Sequence, residues 1–223
     1  MVYCAQKGGQ TMERRDNYAI AAARARQLFV NYDHEALARK LRTQLDETYL
    51  YTKLLGEPYR IHRTTGDISR FSNGEWVSAN SFNESLTLLD LVCDSRDGRF
   101  PSGRWKNMSD FGHQFHRDHL ETTRDPQAEF FEANASNFSA ACEQMGGRKY
   151  PLGDVAYSIE VFDGLCILIQ LWFGDEEFPA QLRWLWDENA LQYLKYETMF
   201  YAVGLIRQRL NQKMGRTIIA QPL

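Results

Sequence analysis

The clearest hydrophobic pattern lies in the C-terminal half. Residues 155–162 read VAYSIEVF and alternate in period two, Asp163-Gly164 follows, and LCILIQLWF returns over 165–173. Period-two alternation sends successive side chains to opposite faces of a strand. Asp-Gly suits the two-residue turn whose backbone matches strand twist. The segment therefore predicts an antiparallel hairpin with Ile159 facing Leu168 and Val161 facing Cys166. Its first strand has a small or polar face of Ala156, Ser158 and Glu160. The second is apolar on nearly both faces, which marks it as the more central strand.

Other periods appear upstream. Tyr18, Ala19, Ala22, Ala23 and Phe29 fall near helical spacing within 14–30. Asp33 is placed to cap a second helix with Leu37, Leu41 and Leu45 on one face. TYLYTKLL at 48–55 is rich in β-branched and aromatic residues. Gly56-Glu57-Pro58 interrupts it and YRIHR follows, which predicts a hairpin, with a third strand at 67–71 after Thr65-Gly66. Ser81-Phe82-Asn83-Glu84 is a capping box opening a helix through Leu86, Leu89 and Cys93. Residues 94–125 are polar and rich in Gly, Ser and Asp, long for a compact connection. Asp125-Pro126 starts a helix. Ser136 is placed to cap another, with Phe138, Ala141, Cys142 and Met145 inward and Gly146-Gly147 at its end. Asp187 is placed to cap a last helix, broken near Tyr196, with Leu191, Leu194, Met199, Ala202, Ile206 and Leu210 inward and Gly215 closing it.

Strands interleaved irregularly with helices predict one α+β domain: an antiparallel or mixed sheet with helices packed on it. Residues 1–32 read as an N-terminal extension with a helix, 33–215 as the domain, and 216–223 as a C-terminal tail. The 223 residues are 43% hydrophobic and 25% charged, enough for a core without staples. The formal charge of −3 argues against wholesale nucleic-acid binding, which needs a clustered basic face. Charge is uneven: residues 1–63 hold eleven Lys/Arg against seven Asp/Glu, whereas 154–200 hold nine acids against two bases. Such asymmetry lets the two ends attract, or lets the acidic end meet a cation or basic partner; two solvated faces is the plainer reading.

Cys4, Cys93, Cys142 and Cys166 form no CxxC pair, so no zinc ribbon or iron–sulfur ligand run is present. They read as reduced structural thiols of a cytoplasmic protein. No apolar segment approaches the ~20 residues that span a bilayer, and the first residues, MVYCAQKGGQTMERR, lack the apolar core of a signal peptide.

Three segments carry candidate chemistry. In WFGDEEFP, Asp175, Glu176 and Glu177 follow the most apolar strand, with Trp172, Phe178, Trp184 and Trp186 nearby. The plain reading is a strand exit, with Pro179 at a rigid corner or a helix start and the acids near that helix's N-terminus. The functional reading is an acidic aromatic rim holding a cationic ligand or flat cofactor. One of the three acids is expected to turn inward, onto backbone N–H groups or a base such as Arg104 or Arg148. Arg104-Trp105 either binds a phosphate or ring, or anchors a loop. In HQFHRDH, His113, His116 and His119 are spaced so that neighbours could share a metal with Asp110 or Asp118. Three-residue steps turn a helix by about −60°, so His113 and His119 diverge by about 120°, and surface histidines without a bound metal are the plainer reading. Gly146-Gly147-Arg148-Lys149 follows a helix instead of opening one, the wrong order for a phosphate loop. No GxSxG, HExxH or catalytic Cys–His signature appears.

GGRKYPLGDVAYSIEVF, WFGDEEFPAQLRWLWDENALQYL and SGRW at 102–105 resemble the uncharacterised bacterial and archaeal family catalogued as domain of unknown function 3786. The resemblance covers about residues 33–210, and GDEEFP is its most specific element. Some relatives carry a separate N-terminal iron–sulfur module, which this chain's cysteines do not supply. The family's frequency in anaerobes implies a setting in anaerobic one-carbon or corrinoid-linked metabolism and no established activity. The sequence thus leaves function unknown. It favours a non-catalytic accessory or small-ligand-binding protein using Trp172, Asp175, Glu176, Glu177, Trp184, Arg104 and Trp105. The alternatives are a metal-dependent hydrolase built on His113, His116 and His119, and a protein–protein adaptor.

Overall fold

The computed structural model describes residues 9–112 and 124–216. The helices are α1 (Gly9–Val30), α2 (His34–Leu41), α3 (Phe82–Asp94), α4 (Pro126–Ala133), α5 (Ala135–Gln144) and α6 (Tyr196–Lys213). Strands β1 (Tyr49–Leu54), β2 (Glu57–His62), β3 (Ile68–Ser72) and β4 (Glu75–Ser78) form one antiparallel meander. Strands β5 (Trp105–Asn107), β6 (Arg148–Lys149), β7 (Val155–Phe162), β8 (Leu165–Trp172) and β9 (Gln181–Asp187) form a second antiparallel sheet in the order β5-β9-β8-β7-β6. The architecture is α+β, and β8 is central, as its two apolar faces require.

Cap chemistry sets several boundaries. Asp33 accepts from Ala36 N at 2.8 Å and opens α2. That helix ends at Arg42 in the left-handed region, so Leu45 leaves the expected helical face and bridges to Leu50 instead. Asp125 caps α4 through Gln127 N, with Pro126 in the first turn. Helix α5 starts at Asn134, not Ser136. Lys40 reaches the carbonyls of Cys93 and Ser95 at the end of α3.

The β7–β8 hairpin forms across Asp163-Gly164, both at positive φ as a type I′ turn demands. Its register differs from the expected one by one residue. Phe162 pairs Leu165 at the turn, but beyond a bulge Glu160 pairs Cys166, Ile159 pairs Ile167 and Ser158 pairs Leu168. The extra residue is Val161. The bulge lets Val161 and Phe162, adjacent in sequence, both bury, and it frees the Val161 carbonyl to accept from Leu55 N at 2.9 Å. That bond ties the two sheets together.

The first meander contains a fourth strand beyond the three expected, β4, entered through Asn73-Gly74 at positive φ. Glu57 and Pro58 lie within β2; the turn is Leu55-Gly56. The sheet's inner face buries Leu50, Leu54, Tyr59, Ile61 and Ile68. On the other face the Arg60 guanidinium lies over the rings of Tyr49 (4.2 Å) and Trp76 (4.5 Å). Gly66 turns beneath α1, and a Cβ there would lie 2.4 Å from the Arg26 carbonyl oxygen. Helix α1 packs on α3 and buries Phe29 completely in the shared core. None of the described helices is long and apolar enough to cross a membrane.

The largest departure from expectation is β9. The sequence places a helix cap at Asp187, yet residues 181–187 form a strand paired with β8 and β5. Leu182, Trp184 and Trp186 alternate onto the face covered by α4 and α5, which gives the strand its reason to exist. The helix begins later, at Tyr196, after a 3-10 turn at Ala190–Gln192.

Candidate functional site

Because β9 is a strand, WFGDEEFP is a hairpin tip between β8 and β9, and no helix follows Pro179. The helix-dipole argument for its acids therefore falls away. Asp175 organises the tip: its Oδ1 accepts from Glu177 N (2.8 Å) and Phe178 N (2.7 Å), and its own N donates to the Phe178 carbonyl. These two N–H donors hold its carboxyl below the usual carboxylate range. One acid of three thus accepts from backbone N–H groups, but none turns inward as expected: Asp175, Glu176 and Glu177 are all exposed, because the two N–H groups belong to the tip itself. Neither Arg104 nor Arg148 serves as its partner. Glu132 and Asp154 hold the tip from outside, accepting from Gly174 N and Phe173 N.

The aromatics do not converge. Trp172 pairs Gln181 and Trp184 pairs Ile169, so the two indoles lie on opposite faces of the sheet. Trp172, Phe173 and Phe178 are 42%, 42% and 58% exposed, whereas Trp184 is half-buried beneath Arg207. Arg104 binds Glu188 through Nε at 2.6 Å, at the other end of β9 from the tip. Trp105 meets Tyr150 edge-on at 5.8 Å. The SGRW segment is an anchor: the buried Asp187 carboxylate accepts from Ser102 N, Ser102 Oγ, Gly103 N and Asn189 N at 2.8–3.1 Å. His113, His116 and His119 lie outside the described residues. Among the described residues, no group of three or more His, Cys, Asp or Glu side chains could hold a metal ion.

The structure builds a different site. Where β1 turns into β2, where α5 ends and where α6 passes, a cleft of about 190 Å³ is lined by Leu55, Gly56, Glu57, Gln144, Met145, Gly146, Arg209 and Lys213. Beneath it runs a network of charges. Glu84 is 9% and Arg209 7% exposed, and they bind each other directly. Tyr59 joins them, its hydroxyl donating to Glu84 Oε1 (2.8 Å) and accepting from Arg209 Nη2 (3.1 Å). Arg70 bonds Glu57 at 3.0 Å and approaches Glu84 at 3.8 Å, and Arg209 lies 3.9 Å from Glu57. Burial, reinforced by the Glu84 charge, pushes the Tyr59 phenol far above its ordinary pKa, so it stays a donor.

Local sequence explains each position. Glu84 is the capping-box residue of α3: its N donates to the Ser81 hydroxyl at 3.4 Å and its Oε2 accepts from that hydroxyl at 3.0 Å. The reach to the Ser81 backbone is replaced by this hydroxyl contact, and the other oxygen is left for Arg209. Tyr59 alternates inward on β2. Arg209 falls on the buried stripe of α6 with Ala202, Leu205 and Ile206. Neither Arg209 nor the cleft was singled out from sequence, although a charge on an apolar stripe was a legible signal.

The comparisons give a family and no activity. No curated protein and no solved structure matches the chain significantly. The matching family model spans residues 33–209, from the start of α2 to Arg209, and covers both the cleft network and the hairpin tip. The chain belongs to the family described as Domain of unknown function (DUF3786).

Proposed function

We propose that this protein is a non-catalytic accessory protein that binds a small molecule, and that its binding site is the cleft above Arg209. One observation carries the reading. Arg209 lines the cleft, is nine-tenths buried, and is fixed from beneath by Glu84 and Tyr59 through Nη2. A guanidinium fixed before a ligand arrives loses little side-chain entropy when one binds. The site has no nucleophile paired with a base, and Tyr59 is held protonated, so binding is a better description than turnover. Burial raises the thiol pKa of Cys93 to about 12 and also raises that of Cys142, which suits inert thiols in a reducing cytoplasm.

A fragment library tested by ligand-observed NMR against the full chain and against Gln144→Trp examines this. Gln144 lies at the cleft and is exposed, so the indole fills the mouth without disturbing the core. Fragments that bind the native chain are expected to lose binding in Gln144→Trp. Binding unaffected by the substitution, or no binding at all, refutes the reading.

A second reading, a protein–protein adaptor, is favoured by the hairpin tip. There Trp172, Phe173 and Phe178 stand exposed around unpaired Glu176 and Glu177 on a loop fixed by Asp175, Glu132 and Asp154. Replacing Trp172 and Phe178 together with Ser is expected to leave folding intact and to remove any specific partner recovered by crosslinking. A partner recovered equally with this variant refutes the adaptor reading.

A further inference from the structure

We infer that the cleft above Arg209 selects small monoanionic carboxylates with a short apolar body, a ligand class that rests on the binding reading above.

The first argument is charge. The network holds two guanidinium groups, Arg70 and Arg209, and two carboxylates, Glu57 and Glu84, all within 4.0 Å of an opposite charge. These cancel. Lys213 also lines the cleft, is exposed, and makes no ion pair with any described residue. The cleft therefore carries one positive charge beyond neutrality. One carboxylate balances it. A phosphate monoester, with about −1.5 to −2 charges at neutral pH, leaves excess negative charge beside Glu57. A cation adds to Lys213 and is repelled.

The second argument is donor geometry. A guanidinium offers five N–H donors in a fixed fork. On Arg209 the Nη2 edge is occupied by Glu84 and Tyr59. The fork is held in place before any ligand arrives, so little side-chain entropy is lost on binding. Shape supplies the third argument. Leu55 and Met145 give apolar walls, and Gly56 and Gly146 contribute no side chain. The volume of about 190 Å³ suits a ligand of a few heavy atoms with a short hydrocarbon body.

Glu57 also lines the cleft and opposes a bound carboxylate, although Arg70 at 3.0 Å offsets its charge. This makes a pair of substitutions act in opposite directions. Lys213→Ala removes the unbalanced positive charge and is expected to weaken carboxylate binding about tenfold, the scale of one charge-assisted contact. Glu57→Gln removes the opposing charge and is expected to tighten it. Loss of stability alone would shift both variants the same way.

Isothermal titration of the full chain at constant ionic strength, with sodium butyrate, butyramide and inorganic phosphate as probes, makes the test. The expected result is binding of butyrate, with weaker binding of butyramide and phosphate. Lys213→Ala should raise the butyrate Kd, Glu57→Gln should lower it, and Gln144→Trp should abolish binding. The inference is overturned if butyramide or phosphate binds as well as butyrate, or if the two charge variants shift the Kd in the same direction or not at all. It is also overturned if Gln144→Trp leaves butyrate bound. If butyrate fails but library fragments still bind in a Gln144-dependent manner, the ligand class is wrong and the binding reading stands. If both fail, both fall together.

Discussion

Replacing Glu84 with Ala removes the closest carboxylate of a buried guanidinium. Arg209 is 7% exposed, so without Glu84 its charge stays poorly compensated in the core. Breaking a buried pair from one side costs about 3–5 kcal/mol. Three local facts place this substitution. Tyr59 loses its acceptor, and Ser81 loses a partner at the start of α3, both of which add to the cost. Against this, Glu57 already lies 3.9 Å from Arg209 and can close in. The lower end, about 3 kcal/mol, is therefore expected. At about 2–4 °C per kcal/mol for a chain of this size, the melting temperature should fall by roughly 6–12 °C. Urea denaturation followed by circular dichroism and by tryptophan fluorescence measures the loss, and coincidence of the two probes checks for a single transition. The cycle is completed by Arg209→Met with Glu84→Leu, which replaces the pair with apolar groups. The double variant should be more stable than Glu84→Ala alone, because no charge is left stranded. A loss below about 1 kcal/mol for Glu84→Ala would refute the account of Glu84 as the counter-charge of Arg209.

Four further outcomes follow from the geometry. Leu168→Ala should cost about 2–5 kcal/mol, since Leu168 is fully buried on the central strand between Ser158 and Leu185; a loss under about 1 kcal/mol by urea denaturation counts against that packing. Gly66→Ala should destabilise by about 1–3 kcal/mol, because Gly66 has φ of 71° and an added Cβ lies 2.4 Å from the Arg26 carbonyl oxygen; an unchanged melting temperature contradicts the docking of α1 there. Asp175 has its folded pKa lowered by the Phe178 and Glu177 N–H groups, so its contribution to the hairpin tip is present above the ordinary carboxylate range. That contribution is lost as pH falls through the depressed folded value. The amide shifts of Glu177 and Phe178 should therefore titrate with an apparent pKa below that of free aspartate, and a midpoint at or above it contradicts the hydrogen bonds. Glu176→Ala and Glu177→Ala should leave the melting temperature unchanged, whereas Asp175→Ala should lower it.

Local signals in the chain determined what short-range chemistry can determine. Asp-Gly at 163–164 set the hairpin, Ser81 and Glu84 set the start of α3, Asp125-Pro126 set α4, and the two apolar faces of 165–172 made β8 central. Two local signals carry no assignment in the sequence analysis. Asn73-Gly74 precedes β4, and Leu182, Trp184 and Trp186 alternate along β9 up to Asp187, whose residue type suits a cap. In the fold Asp187 caps no helix. Its carboxylate gathers N–H groups from Ser102 and Gly103, more than eighty residues away.

Tertiary structure alone decided the register beyond Val161, because the bulge answers to Leu55 on the other sheet. It decided that Trp172 and Trp184 part company, since pairing with β8 fixes which face each strand residue takes. It also assembled the cleft from residues at 55–57, 144–146 and 209–213, with Glu84 and Tyr59 beneath. Sequence patterns report which side of an element is apolar. Which buried charges meet is set by long-range packing, and Arg209 became a candidate site residue only when Glu84 and Tyr59 were folded against it.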